Sequence, residues 1–230
     1  MASGKLLLRL IVQSGAWIIF MGVLLFWPAG DWLWPEAWAF LAIFSLCSIL
    51  FCAWLWRSDR ALLESRMGSL VQKGQSNWDK IFMSSIMVLW NLWLVFMAFD
   101  ARRWQTSHVP VAVEVLGGLM ILLGFALTVP VFRANSFAAP VVRVQEERGQ
   151  RVIDTGPYAV VRHPMYAAAL LYLLGVPLLL GSWYGLIGTA LIALGISWRA
   201  VKEESLLSHD LAGYGEYMTR VRWRLVPYVW

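Results

Sequence analysis

Beyond residue 150 the chain gathers its densest set of chemically capable side chains, beginning with Arg162 and His163 immediately before Pro164. A guanidinium can hold a carboxylate or phosphate through two parallel N–H bonds, and an imidazole donates to an oxygen or moves a proton near neutral pH. Read plainly, the same two residues are a topology charge and an interfacial filler. Tyr158 and Tyr166 flank the pair, and Tyr172 follows on the same segment. Their rings suit a membrane-interface belt, and equally suit stacking on an adenine or lying beside a cationic sulfonium, an attraction of about 0.5–2 kcal/mol. Glu203 and Glu204 come next, beside Lys202. One carboxylate there can hold an amino group or ribose hydroxyls; the plainer role is a solvated pair at the end of an apolar span. Tyr214, Tyr217, Arg220 and Arg224 recur at helical or near-helical separations, as either a surface that lies on anionic lipid or a lid that excludes water. Glu204 and Asp210 have no convincing third ligand nearby, so no metal site is read.

Several familiar chemistries have no foothold. The chain has no G-x-G-x-x-G opening a βαβ unit, no Walker loop, no H-E-x-x-H and no G-x-S-x-G. A nucleotide cofactor, if used, needs a pocket built differently from those soluble folds.

The elements that must position these residues are membrane helices. Of 230 residues, 60% are hydrophobic and 14% charged, with a mean hydropathy of +0.63, far more apolar than a soluble domain. Apolar runs near 7–28, 36–56, 81–99 and 111–132 are each long enough to cross roughly 30 Å of hydrocarbon. Two more, 164–180 and 183–200, are separated only by Gly181 and Ser182, which makes them a helical hairpin with both polar ends on one side. Gly175 and Pro177 are placed to bend its first helix, and Gly185, Gly188 and Gly195 to permit close packing. The reading is an all-α integral membrane protein with six transmembrane helices, cytosolic N- and C-termini, and an amphipathic C-terminal lid over 203–222, broken around Gly213 to Gly215. It is one domain, 1–230, with four N-terminal spans in 1–132 and the cofactor-site loop, hairpin and lid in 133–230.

Charge sets the orientation. Arg57, Arg60, Arg66, Lys73 and Lys80 follow the second span, and Arg133, Arg143, Arg148, Arg151 and Arg162 occupy the longest polar stretch, so both connections are expected in the cytosol. Arg102 and Arg103 fall on the other side and run against the rule. The stretch 133–162, with breaks at Gly149, Gly156 and Pro157, is expected to be a short hairpin or an interfacial loop. The net charge of +5 belongs to this topology pattern, not to nucleic-acid binding. Lys5 and Arg9 precede an apolar run with no small-x-small cleavage pattern, so the first span is read as retained. Cys47 and Cys52 lie in one apolar span and are read as small buried hydrophobes.

The pieces GPYAVVRHPMYAA, GSWYG, EESLL, YGEYMTRV and RWRLVPYVW together resemble the C-terminal half of the isoprenylcysteine carboxyl methyltransferase family, with its broad bacterial relatives and the related phospholipid methyltransferases. The similarity covers about 152–230, and the earlier spans match only in hydropathy. It implies an integral-membrane methyltransferase that uses S-adenosylmethionine at the cytosolic end of the last helices, with a lipophilic or small apolar acceptor arriving from the bilayer. By resemblance, Tyr158, Arg162, His163, Tyr166, Glu203, Glu204, Tyr214 and Tyr217 are the cofactor set. Glu204 is favoured within the glutamate pair because it begins the E-x-x-L pattern that ends at Leu207. Arg220, Arg224 and Glu204 are the catalytic candidates, the arginines orienting an anionic acceptor.

The sequence departs from the family at Ala167–Ala169, where a small glycine is usual, and between Leu207 and Tyr214, one residue shorter than in the isoprenylcysteine enzymes. The chemistry implied is spare. A sulfonium methyl is already electrophilic, so the protein mainly aligns a nucleophile behind it and excludes water. A carboxylate attacks directly, a thiol as thiolate, an amine with its lone pair free. Two other classes compete: a membrane reductase using NADPH, because membrane steroid reductases share an H-P-x-Y-like element, and a transporter or structural partner with a non-catalytic polar mouth. The terminal variant and the charge pattern point to a bacterial inner membrane.

Overall fold

Apolar runs of this length can satisfy their backbone in lipid only by closing their own hydrogen bonds, and the chain does so in helices. The computed structural model describes residues 2–69, 71–72 and 74–230, apart from the side chains of Ala2, Ser3 and Lys5; Lys73, one of the orienting charges, lies outside the described residues. The helices are α1 (Ala2–Ala29), α2 (Pro35–Ser58), α3 (Arg60–Arg66), α4 (Asn77–Ala98), α5 (Val111–Ala134), α6 (Pro164–Leu179), α7 (Gly185–Asp210) and α8 (Tyr214–Arg220). Five of them are long and apolar enough to span: α1, α2, α4 with its π-helical extension Phe99–Arg103, α5 and α7.

The sixth expected crossing is α6, which has only 16 residues. At ~1.5 Å per residue it reaches about 24 Å, short of the ~30 Å core. It lies close against α5. A Cβ added at Gly117 would stand 2.5 Å from the backbone nitrogen of Leu179, and one at Gly175 would stand 2.5 Å from the carbonyl of Gly117. These two glycines let the backbones touch. Gly175 is therefore a packing position, and α6 runs continuously through it and Pro177. Gly188 does pack as expected: the Trp93 ring lies where its Cβ would be, and Trp93 Nε1 donates to the Gly185 carbonyl at 2.7 Å.

The bundle's core is aromatic and aliphatic, with Phe26, Trp34, Phe40, Trp93, Met97 and Ile121 all buried. Leu8, Ile19, Ile81, Leu119, Ile187 and Leu194 point outward and exposed, as lipid-facing side chains do. At one end, Asp100 is buried and accepts hydrogen bonds from the hydroxyls of Thr106, Ser107 and Ser182, which pins the α4–α5 connection to the α6–α7 turn. Arg102, the charge that ran against the topology rule, donates to Asp31 at 2.5 Å and to the Leu33 carbonyl at 2.8 Å. Its charge is neutralised locally, and the Leu33 amide together with this guanidinium holds the Asp31 carboxyl below its usual range.

At the opposite end, the stretch after α5 takes the loop form of the two expected: it forms no hairpin among the described residues and holds two short 3-10 turns, Glu146–Arg148 and Gly156–Ala159. Gln145 replaces strand pairing: its side chain donates to the Phe137 carbonyl at 2.7 Å, and its backbone N–H donates to Gln150 Oε1 at 2.7 Å. One expectation is corrected there: the lid does not begin as a separate helix at 203, although the break near Gly213 is found as expected. α7 runs unbroken to Asp210, and only then does Gly213, at φ +82°, turn the chain into α8.

Candidate active site

The segment before α6 and the tail after α8 are stitched backbone to backbone. Val161 and Trp223 form an isolated parallel bridge, Arg162 N donates to the Trp223 carbonyl at 2.9 Å, and His163 N donates to the Arg224 carbonyl at 2.9 Å. Residues about sixty positions apart in sequence thereby share one site, with α7 supplying the carboxylates from a third direction.

Glu204 is the hub. It is buried, and its oxygens accept from Arg162 Nε at 2.6 Å, Arg162 Nη2 at 3.3 Å and Arg224 Nε at 2.9 Å, with His163 Nε2 3.2 Å away. Charge-assisted bonds of this kind are roughly twice as strong as neutral ones. Arg162 also donates to the Val221 carbonyl at 2.9 Å, so the same guanidinium caps the end of α8. Arg224 is half-buried and lies over the Trp230 ring, 5.0 Å from its centroid.

Glu203, one residue earlier on α7, belongs to a second network. Its Oε2 accepts from the Tyr166 hydroxyl at 2.6 Å; that hydroxyl accepts in turn from Arg199 at 3.0 Å, and Arg199 Nε donates to Asp79 at 2.9 Å. Asp79 is fully buried and its other oxygen accepts from Gln75 at 2.8 Å and from the Val142 amide at 2.9 Å. A relay thus runs from the start of α4 through α7 to the tyrosine of α6. The His163 and Tyr166 rings stack, with centroids 5.3 Å apart and planes within 9°.

Between the networks and the stretch after α5 lies a cavity of about 760 Å³, its open mouth included. Tyr158, Arg162, His163, Tyr166, Glu203, Tyr214 and Tyr217 line it, with Leu207, Leu211, Val152 and Arg143. The tyrosines hold one another in place: Tyr217 donates to the Tyr158 carbonyl at 2.8 Å, and Asn135 donates to the Tyr158 hydroxyl at 2.9 Å. Burial pushes the Tyr158 phenol up to about 12 and raises those of Tyr214 and Tyr217 as well. All three stay neutral in the physiological range and serve as ring faces and hydrogen-bond donors, not as bases.

Seven of the predicted site residues therefore border one cavity. Glu204 does not line it; its carboxylate is occupied by its neighbours, and its place is behind Arg162 and His163. Arg224 sits with it. Arg220 lies outside, in an exposed pair with Asp154 at 3.0 Å. Tyr172 faces a different space, among the spans. The residues missed by sequence reasoning are Asp79, Arg199 and Arg143. A charge inside or just before an apolar span is itself a signal of function or pairing, and Asp79 and Arg199 carried it. Arg143, read only as a topology charge, lines the cavity with a buried Nε that has no hydrogen-bond partner.

Residues 113–212 match the family described as phospholipid methyltransferase. The match bears out the resemblance read from the C-terminal motifs and extends it back into α5. It includes Tyr158 through Glu204 and ends before α8. No curated protein matches the chain.

Proposed function

We propose that this chain, a membrane protein whose residues 113–212 match the phospholipid methyltransferases, transfers a methyl group from S-adenosylmethionine to a lipophilic or small apolar acceptor. The observation that carries the reading is the cavity, in which a carboxylate, four tyrosine rings and a partnerless arginine nitrogen converge beside apolar side chains.

The residues present fit that cofactor. The cavity lies within the ~300–1,000 Å³ of small-molecule sites. Glu203 offers a carboxylate to an ammonium group or to ribose hydroxyls. The buried Nε of Arg143 offers a donor to a carboxylate, which would satisfy a group otherwise costly to bury. Leu207, Leu211 and the rings of Tyr214 and Tyr217 make a wall for a planar base. When bound, S-adenosylmethionine supplies an electrophilic methyl on a sulfonium.

The chain's own work is positioning. The Arg162–Glu204–Arg224 cluster fixes the tail against α7, so that α8 can close the cavity and exclude water. The Asp79–Arg199–Tyr166 relay holds Glu203 where it borders the cavity. Arg224 lies outside the cavity lining, held by Glu204 and the Trp230 ring, and is assigned to the same tail anchor; Arg220 is farther out and is assigned to the lid. The site end is assigned to the cytosol of a bacterial inner membrane, with both termini on that side, because the basic connections gather there.

The test is methyl transfer itself. Purified protein is incubated with methyl-labelled S-adenosylmethionine and a total lipid extract, and label is counted in the organic phase. Transfer by wild type that falls at least 100-fold in Glu203→Gln supports the reading. No transfer, together with saturable binding of reduced nicotinamide, would replace it with the reductase.

A further inference from the structure

A second cavity, of about 800 Å³ including its mouth, opens on the bilayer side of the first. Its walls come from α2, α4, α5 and α6 and are mainly apolar, with Phe44, Trp90, Phe125 and Phe132 among them and the hydroxyls of Ser48 and Thr128 the small polar exceptions. Two features do not belong in a merely greasy groove. The hydroxyl of Tyr172 is buried in this wall without a hydrogen-bond partner. And Arg66, at the last turn of α3, puts its guanidinium into the lining.

Arg66 lies on the partition between the two spaces. Its Nη1 donates to the carbonyl of Ala138, which lines the polar cavity, and its guanidinium stacks over Phe132, 4.6 Å from the ring centroid. Met165 borders both cavities. Among the described residues no carboxylate pairs with Arg66, in contrast to Arg162, Arg199 and Arg224, each of which has one. A guanidinium withdrawn from water without a counter-charge is costly, and the cost is recovered when an anion arrives. Burial lowers its pKa to about 10, which still leaves it charged at neutral pH.

We infer that this second cavity binds the apolar chain of an amphiphile whose anionic group, a carboxylate or phosphate, is held by Arg66 at the border of the polar cavity. The arginine reads the charge, the aromatic wall takes the chain, and the head group is left facing Met165 and the first cavity. Calling this ligand the methyl acceptor rests on the function proposed above; its binding does not.

The probe is a photoreactive stearic acid carrying a diazirine on its chain, added to the full-length protein in nanodiscs without cofactor. Adducts are mapped by peptide mass spectrometry. The expected result is labelling of 124–132 and 165–172, displaced by stearic acid at a tenfold or more lower concentration than by its methyl ester, and not by inorganic phosphate. Arg66→Met should bring acid and ester within about twofold of each other, while Arg66→Lys retains part of the preference. Because Arg66 also packs against Phe132, Ala169→Leu serves as the second variant: it fills the cavity without touching the arginine and should abolish labelling. Equal displacement by acid and ester in wild type, a preference that survives Arg66→Met, or displacement by phosphate alone would overturn the inference. S-adenosylmethionine binding, measured separately, decides the methyl-transfer reading.

Discussion

Both ends of the bundle bury carboxylates, and Glu204 and Asp100 are held in different ways. Glu204, at the site end, is held by two guanidiniums with an imidazole alongside; Asp100, at the far end, is held by three hydroxyls. The hydroxyl set is local to two turns and neutral, so it fixes a loop junction and leaves the negative charge of Asp100 in place. The arginine set reaches Glu204 from two segments distant from α7, and it carries more positive charge than the carboxylate cancels. An end built that way can receive an anion and can respond to one; the other end can only hold its shape.

The comparison breaks most sharply at Glu204. Glu204→Ala leaves two guanidiniums facing each other in a largely buried setting, and removing one partner of a buried pair costs about 3–5 kcal/mol. We expect a matching loss of unfolding stability in detergent together with loss of methyl transfer. Asp100→Asn should cost less, about 1–3 kcal/mol, because the amide oxygen still accepts while the amide nitrogen meets donors already in place. Cofactor affinity should be unchanged in that variant; a drop of tenfold would show that the two ends are coupled after all.

Asp79→Asn sharpens the comparison from within the site. It weakens the hold on Arg199 without touching the cavity, so S-adenosylmethionine affinity should fall about tenfold, or ~1.4 kcal/mol, with the unfolding midpoint less affected than in Glu204→Ala. Tyr217→Phe removes one bond to the Tyr158 carbonyl and should cost about 0.5–1.5 kcal/mol in the docking of α8, read as faster hydrogen exchange over 214–220. Smallest is Arg220→Ala. Its pair with Asp154 is exposed, and such pairs contribute about 0–1 kcal/mol, so activity should stay within twofold of wild type.

Much of this was legible in the residues. Long apolar runs produced α1, α2, α4, α5 and α7, and the RHP-x-Y and EESLL pieces marked the side chains that meet. What periodicity could not reveal was set by contacts distant in sequence. α6 lies backbone to backbone on α5 because Gly117 and Gly175 carry no side chain to hold them apart, a fact about two helices at once. Glu203 and Glu204 looked equivalent as neighbours; on one helix they point in directions about 100° apart, and only the fold decides which meets the cavity and which meets the arginines. Arg66 and Arg143 were counted as topology charges because nothing local distinguishes an arginine that faces water from one that faces a pocket. The stretch after α5 was left open between hairpin and loop, and the choice rests on two glutamine side chains: Gln145 donates to the Phe137 carbonyl and Gln150 accepts from the Gln145 amide.

The most direct measurement is calorimetric titration of S-adenosylmethionine into the purified protein, with Glu203→Ala, His163→Ala and Glu204→Ala alongside. The account predicts one saturable site in wild type, weakened at least tenfold by each change, most by the two that remove a cavity-lining group. Folded wild-type protein that gives no heat of binding, or a Glu203→Ala variant that binds as wild type does, would contradict it.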